Sequence, residues 1–147
     1  MKSILKKYKY KLIFIIAAAV IISVIFALFS VDGAANRRNV EFINSFGWDV
    51  DDSPADISHL TIPEDLSGIY LVHSQVSAID GSSIVDYRGK NITRYSYNVL
   101  NHKDSGSGKI RADIFVYKSD IIAADISDIS MGGNLTPISD ISQIIIP

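Results

Sequence analysis

The sequence predicts an α+β fold in which an N-terminal transmembrane helix precedes two helices packed on a small antiparallel β-meander. Three observations predict it. A charge-free apolar run follows a lysine cluster at the start of the chain. Apolar residues then recur every three or four positions over two segments, a spacing typical of amphipathic helices. Finally, apolar and polar residues alternate over successive segments separated by turns, a pattern typical of half-buried strands.

The start of the chain has the pattern of a membrane anchor. Five lysines lie within residues 1–11, and residues 12–31 contain no charged side chain. A helix of that length spans about 30 Å, which matches the hydrocarbon core of a bilayer. The lysine excess before the run predicts that residues 1–11 form a cytoplasmic tail. We therefore predict a single-pass protein of the cell membrane, anchored through residues 12–31, with its C-terminal domain outside the cytoplasm.

A cleaved signal peptide is the alternative for the same segment. The apolar region of a signal peptide covers about 7–15 residues, which is shorter than the run at residues 12–31. A small-residue sequence, Gly33-Ala34-Ala35, nevertheless offers a cleavage site. Cleavage there would release a secreted domain, so both interpretations place the rest of the chain outside the cytoplasm.

Residues 36–126 are predicted to form the extracytoplasmic α+β domain, which opens with a short helix. Asn36 is expected to cap this helix, and Gly47 follows its last residue, Phe46, as is common at helix ends. Its apolar face consists of Val40, Phe42, Ile43 and Phe46.

The next segment is predicted to be mostly loop, followed by the second helix. Residues 49–58 are acidic and polar, and residues 60–62 predict a short extended piece that Pro63 ends. The second helix is predicted over residues 64–79. His73 lies on its apolar face, where a histidine is more often packed than catalytic.

Three strands are predicted after the second helix. They cover residues 90–100, 110–117 and 121–126, joined by a glycine- and serine-rich hairpin loop at 101–108 and a tight turn at 118–120. Two helices followed by three sequential strands predict an α+β domain with an antiparallel meander.

Residues 127–147 are predicted to form a C-terminal extension. Its last apolar run, Ile144-Ile145-Ile146, is the candidate for an additional edge strand, and a loosely packed tail is the alternative. The Asp-Ile-Ser triplet recurs in the chain, but its irregular spacing does not indicate a structural repeat.

Composition excludes several function classes. The chain has no cysteine, which excludes disulfides, zinc–thiolate sites and thiol nucleophiles. Of its 14 basic and 16 acidic residues, five lysines and Asp32 lie in residues 1–35, which leaves nine basic and fifteen acidic residues in the remainder. Nucleic-acid binding requires clustered Lys and Arg, so an acidic domain argues against a nucleic-acid partner.

Sequence motifs give no catalytic, metal or cofactor site. A calcium loop starting at Asp49 would need glycine at the sixth position and glutamate at the twelfth, where the chain has Pro54 and Leu60. The segment 105–109 faintly resembles a phosphate loop, but Ile110 replaces the required Ser or Thr, and the segment joins two strands. We therefore predict no catalytic residue, no metal ligand and no cofactor.

Several blocks of the sequence resemble a known family. The blocks are Phe46-Gly47-Trp48-Asp49-Val50, Ile62-Pro63-Glu64, Tyr87-Arg88-Gly89-Lys90 and Arg94-Tyr95-Ser96-Tyr97 with Asn101. In order and spacing they resemble the bacterial domain-of-unknown-function family numbered 4830, over residues 36–126. The resemblance implies a small, membrane-anchored protein of a Gram-positive bacterium, and it implies no activity. The Gly-Gly-Asp block of the family corresponds here to Ala123-Ala124-Asp125, so both glycines are replaced.

Aromatic residues of the predicted sheet are the candidate binding site. Together with one arginine, they are Trp48, Tyr87, Arg94, Tyr95, Tyr97 and Tyr117. Tyr and Trp are enriched at interfaces, so these residues predict a surface that binds a peptide or a glycan. The alternative is that they are half-buried cross-strand partners. Arg94 and Asp113 lie on adjacent predicted strands and are expected to form an ion pair.

Two functions from different classes follow from these features. The first is a non-catalytic accessory or binding module tethered by its N-terminal helix, with an envelope or membrane protein as its partner. The second is an envelope enzyme that uses carboxylates such as Asp113 or Asp125. A carboxyl group with a raised pKa in a cleft would favour the enzyme, and a flat, well-packed sheet face would count against it.

Overall fold

A computed structural model describes the backbone of residues 2–79 and 81–145. Side chains are described for these residues except 2–10, 12–13, 23–32 and 69. The chain forms two compact units, Met1–Ala35 and Asn36–Pro147. Helix α1 covers Lys2–Ser45 and thus contributes residues to both units.

The predicted anchor falls within α1. Many of the side chains of residues 12–31 lie outside the described residues, which include 14–22. Six apolar side chains of that described stretch are more than half exposed: Phe14, Ile15, Ile16, Val20, Ile21 and Ile22. Within the described part of the chain, no helix has a stretch both long and apolar enough to cross a membrane. The transmembrane helix therefore stays a prediction.

The second unit is an α+β domain, as predicted, built around a five-stranded antiparallel sheet in the order β1-β2-β3-β4-β5. The strands are β1 (Asp56–Thr61), β2 (Asn91–Asn98), β3 (Ile110–Tyr117), β4 (Asp120–Asp128) and β5 (Leu135–Pro137). Helix α2 covers Ile69–Val76, and two 3₁₀ turns cover Ile84–Tyr87 and Ser105–Ser107. Each strand pairs with its neighbour in sequence, so the predicted meander is confirmed, with one further strand at each edge.

The edge strands correct two predictions. β1 begins at Asp56, inside the segment predicted as a loop, and pairs with β2 along its whole length. The last strand is β5 rather than the terminal isoleucine run, because Leu135–Pro137 pairs with β4. Ile144 makes only an isolated bridge to His102.

Two helix predictions also need correction. Asn36 does not cap a helix, since α1 is continuous through it. Its side chain instead donates to the backbone oxygen of Asp52 over 2.6 Å. Helix α1 does end at Ser45, as the glycine signal predicted, and Gly47 has a φ of +92°. Helix α2 starts five residues later than predicted, because Gly68 has a φ of +56°, which a helix cannot accommodate.

The sheet is covered on both faces. The first face packs against the last turns of α1, and its core contains Ile43, Trp48 and Tyr97. The second face has a separate apolar core around Phe115, against which the partly buried Tyr70 of α2 packs. Polar side chains of the central strands lie on this second face beside the apolar core, and this face contains the candidate site.

Candidate functional site

A row of polar side chains crosses the second face of the sheet. Pairing of the strands places Asp56 opposite Ser96, Ser96 opposite Asp113, and Asp113 opposite Asp125. Asp113 is 4% exposed and Asp125 is 0% exposed. Two carboxylates thus lie side by side in the middle of the sheet, a placement that costs free energy unless each is hydrogen-bonded or paired.

Asp113 is held by hydroxyl groups from both neighbouring strands. Ser96 on β2 donates a short hydrogen bond to Oδ1, and Ser127 on β4 donates to Oδ2 over 2.7 Å. Arg94 Nε lies 4.0 Å from Oδ1, at the limit of an ion pair. The expected pairing of Arg94 with Asp113 is therefore present as a long contact, while the hydroxyl groups supply the close ones.

Asp125 contacts a histidine of α2 and the serine that directly follows this helix. His73 Nδ1 lies 2.9 Å from Asp125 Oδ2, and Ser77 Oγ donates to the same oxygen over 2.5 Å. The other oxygen, Oδ1, has no hydrogen-bond partner. Burial raises the pKa of Asp125, and the charge of Asp113 raises it further, while the hydrogen bond from His73 opposes the shift.

The cluster of Ser77, His73 and Asp125 is not a catalytic triad. In a triad, the two ring nitrogens of the histidine contact the serine and the aspartate separately. Here Nδ1 of His73 faces both Asp125 Oδ2 and Ser77 Oγ, the latter at 3.4 Å. Ser77 is fully buried, so its hydroxyl group is not accessible to a substrate. The ring of His73 packs edge-on against Phe115 at 5.2 Å, as expected of a packed histidine.

An open cavity of about 250 Å³ lies over Asp113; we call it the arginine cavity. It is lined by Ala55, Asp56, Arg94, Ser96, Arg111, Asp113 and Ile129. Arg94 lies opposite Phe115 on β3, and Arg111 lies four residues further along the same strand. At about 3.3 Å per residue the two backbones are about 13 Å apart, so the long side chains approach the cavity from its two ends.

The two arginines differ in how their charge is compensated. Arg94 pairs with Asp56 over 3.3 Å, but its Nε is buried and has no hydrogen bond. Arg111 donates only to backbone oxygens, those of Gly108 at 2.9 Å and Ile110 at 3.3 Å. Among the described residues, no carboxylate lies within ion-pair distance of Arg111. The cavity therefore has one arginine without a direct ion pair, one buried Nε–H without a hydrogen bond, and two lining carboxylates, Asp56 and Asp113.

The six residues predicted as a binding surface do not form one surface. Trp48 and Tyr97 are 2% and 0% exposed, in the core of the first face. Tyr95 packs partly buried against the same core. Tyr87 and Tyr117 lie on the second face and contact each other at 5.3 Å between ring centroids. Arg94 alone lines the arginine cavity.

Trp48 and Tyr97 are in the core rather than on a surface because their polar atoms form hydrogen bonds within the protein. Trp48 Nε1 donates to the backbone oxygen of Ile138 over 2.7 Å. The Tyr97 hydroxyl donates to Asn36 Oδ1 over 2.9 Å and accepts from Asn39 Nδ2 at 3.3 Å. An aromatic residue with a satisfied polar end can be buried completely, so residue type alone did not distinguish core from surface.

Sequence reasoning missed most of the polar site. It named Arg94 and the two carboxylates individually, but it did not identify Arg111, Ser96 or Ser127. One signal was present: polar residues occupy strand positions that alternation assigns to one shared face. Recognising the site required the register of three strands, which separate stretches of sequence do not specify.

Among the residues that the structure describes, no group of three or more His, Asp or Glu side chains is arranged to hold a metal ion.

Comparison with known proteins gives no relative: no family model, no curated protein and no solved structure matches the chain. The resemblance to the family numbered 4830 therefore stays a prediction.

Proposed function

We propose that the chain is a membrane-anchored extracytoplasmic binding module whose arginine cavity binds a free carboxylate group of an envelope component or protein partner. The observation that carries the proposal is Arg111, a cation without a direct ion pair, which lines the same cavity as an Arg94 Nε–H that donates no hydrogen bond. A guanidinium group presents a fork of donors that matches the two oxygens of a carboxylate.

The size of the cavity supports recognition of an end group rather than of a whole ligand. Sites for drug-sized molecules occupy roughly 300–1,000 Å³. The arginine cavity, at about 250 Å³, is smaller and open to solvent. Asp56, which is more than half exposed and pairs with Arg94, adds an acceptor at the rim. A chain terminus or an acidic substituent of a larger molecule matches these features.

The anchor is supported by sequence rather than by the fold. The charge-free run at residues 12–31 follows five lysines, and six of its described apolar side chains are more than half exposed. Intact mass and membrane fractionation of the expressed chain test this part. A full-length mass in the membrane fraction supports the anchor. A shorter product in the culture medium, with a mass that corresponds to a chain starting near Ala35, would instead indicate a cleaved signal peptide.

Saturation-transfer NMR on the full chain in lipid nanodiscs tests carboxylate binding. The probes are N-acetylglycine and its amide, which differ only in the carboxylate. We expect the acid to bind, the amide not to bind, and Arg111→Gln to weaken the acid at least about tenfold, since a charge-assisted hydrogen bond contributes about 1.5–3 kcal/mol. Arg88→Gln, at an exposed arginine outside the cavity, is the matched control. Equal binding of acid and amide, or equal loss in both variants, would refute the proposal.

An envelope enzyme is the second candidate, and the raised pKa of Asp125 favours it. Two observations favour the binding module instead. Asp125 is 0% exposed, and it does not line the cavity. Of the two carboxylates that do line it, Asp113 accepts hydrogen bonds from two serines through both oxygens, and Asp56 pairs with Arg94. Turnover of any envelope substrate by the full chain, abolished by Asp113→Asn with the fold retained, would reverse this preference.

A further inference from the structure

A second cavity lies on the first face of the sheet. It is near the start of β3 and the end of β4, the same end of these strands at which the arginine cavity lies on the opposite face. Its volume is about 300 Å³, and we call it the His102 cavity. It is lined by His102, Lys103, Asp104, Ile110, Ile126, Asp128, Asn134, Thr136, Asp140 and Gln143. It thus combines an apolar floor of two isoleucines with a polar rim from the 101–109 loop, from β4 and β5, and from the C-terminal extension.

His102 is rigidly placed in this cavity. Its ring stacks on Trp48, with centroids 6.0 Å apart and planes 22° apart, and Trp48 is itself fixed by its hydrogen bond to Ile138. His102 is 8% exposed. Its Nδ1 accepts a hydrogen bond from the backbone N–H of Asp104 at 3.0 Å. The stack on Trp48 and the hydrogen bond from Asp104 therefore set the orientation of the ring before any ligand binds.

This hydrogen bond fixes the chemistry of the other ring nitrogen. A neutral imidazole has one donor and one acceptor nitrogen, so Nδ1 as acceptor leaves the proton on Nε2. Within the described part of the chain, Nε2 of His102 has no hydrogen-bond partner. The cavity therefore presents a preorganised N–H donor. Metal binding at Nε2 would require the proton to move to Nδ1, where it would face the N–H of Asp104.

Acceptors line the same cavity as this donor. Hydrogen bonds from Ser130 lower the pKa of Asp128, and hydrogen bonds from Ser142 lower the pKa of Asp140. Both groups are ionised at neutral pH, and neither is within ion-pair distance of a lysine or arginine among the described residues. The amides of Asn134 and Gln143 and the hydroxyl of Thr136 add groups that both donate and accept; these three residues also line the cavity.

We propose that the His102 cavity binds a hydroxyl-rich ligand, a saccharide unit. A sugar hydroxyl accepts from the Nε2–H of His102 and at the same time donates to a carboxylate such as Asp128, which matches the donor next to acceptors in this cavity. An ammonium group would use only the acceptors and would face both the N–H and Lys103. This inference does not depend on the carboxylate proposal, because the two cavities share no lining residue.

Saturation-transfer NMR on the full chain in nanodiscs tests the inference, with glucose, N-acetylglucosamine, maltose and glycerol as hydroxyl probes and 1,4-diaminobutane as the amine probe. We expect at least one sugar to bind. His102→Phe keeps an aromatic ring on Trp48 but removes the donor, and we expect it to weaken that sugar at least about tenfold. Asp140→Asn, which keeps an acceptor oxygen but removes the charge, is expected to weaken it less. Asp120→Asn, at an exposed aspartate outside the cavity, is the control.

Three outcomes would overturn the inference. One is the absence of binding by every hydroxyl probe. Another is binding of the diamine alone, which would show an acidic cation site. The last is sugar binding that His102→Phe leaves unchanged. A circular dichroism spectrum and a Tm close to those of the wild-type chain are the check that His102→Phe keeps the fold, and this check does not depend on ligand binding at the arginine cavity.

Discussion

Tyr97 offers the sharpest test of the fold, because its hydroxyl group joins β2 to α1. The residue is fully buried, and burial raises the pKa of its hydroxyl, which therefore stays protonated. Tyr97→Phe removes a donor to Asn36 and an acceptor for Asn39. Asn36 is partly exposed, so water can replace the lost partner. Asn39 is 0% exposed, and its Oδ1 already has no partner, so the substitution leaves its whole amide unpaired.

The expected loss of stability follows from the complete burial of Asn39. An orphaned buried polar group costs about 1–3 kcal/mol, and we place Tyr97→Phe near the upper half of that range because the Asn39 amide then has no bond at all. For a domain of this size, each kcal/mol lowers Tm by roughly 4 °C. Urea unfolding of the full chain, followed by circular dichroism and tryptophan fluorescence, measures the change.

A double-mutant cycle isolates the cause. Asn39→Leu replaces the amide with an apolar side chain of similar size, and we expect it to be nearly neutral because it also removes the unpaired Oδ1. In that background, Tyr97→Phe should cost at least about 1 kcal/mol less than in the wild-type chain, since no amide remains to be orphaned. Additive losses in the cycle, or a Tyr97→Phe variant as stable as wild type, would refute this reasoning.

Three further predictions concern stability. A Cβ at Gly133 would lie 2.0 Å from the backbone oxygen of Asp128, so Gly133→Ala should lower the free energy of unfolding by about 2 kcal/mol. Gly106→Ala, whose added Cβ meets no atom within 4 Å, should leave the free energy of unfolding nearly unchanged. A similar loss of stability for both variants in urea unfolding would contradict this account. Burial raises the pKa of Asp125, so the wild-type free energy of unfolding should fall as pH rises from about 3.8 through the raised pKa, by at most about 1.4 kcal/mol per pH unit. Asp125→Asn should remove this decline, and an unchanged pH profile would argue against it. Lys118 has a φ of +55°, so Lys118→Gly should raise Tm by a few degrees, corresponding to about 1 kcal/mol. A lower Tm would contradict this and show that the cation–π contact between Lys118 Nζ and the Tyr117 ring, 5.2 Å from the centroid, contributes more than the strain costs.

The sequence predicted the central strands well and the edges poorly, for a physical reason. β2 and β3 alternate because one of their faces packs on a continuous apolar core, whereas β4 contains an apolar run at residues 121–124 because its centre is buried on both faces. β1 carries polar residues on both faces, and β5 has only three residues, so neither leaves a periodic pattern. Their positions are set by pairing with a neighbour, which is a tertiary effect.

The site was predictable only as separate residues. The sequence places Asp113 and Asp125 at strand positions. That they lie directly opposite each other depends on the register of β3 with β4. The aromatic residues were visible too, yet their burial depends on the partners of their polar atoms, such as Ile138 for Trp48. Those partners lie up to 90 residues away in sequence, beyond the reach of local patterns.

The two edges of the sheet also bear on how this domain behaves at high concentration. An open strand edge is a template for pairing with another chain, and proline interrupts such pairing because it has no N–H to donate. Pro54 and Pro63 bracket β1, and Pro137 ends the three-residue β5. A foreign strand can therefore extend this sheet over no more than the six residues Asp56–Thr61. Four of those six side chains are polar, which disfavours the dry interdigitated interface on which cross-β stacking depends.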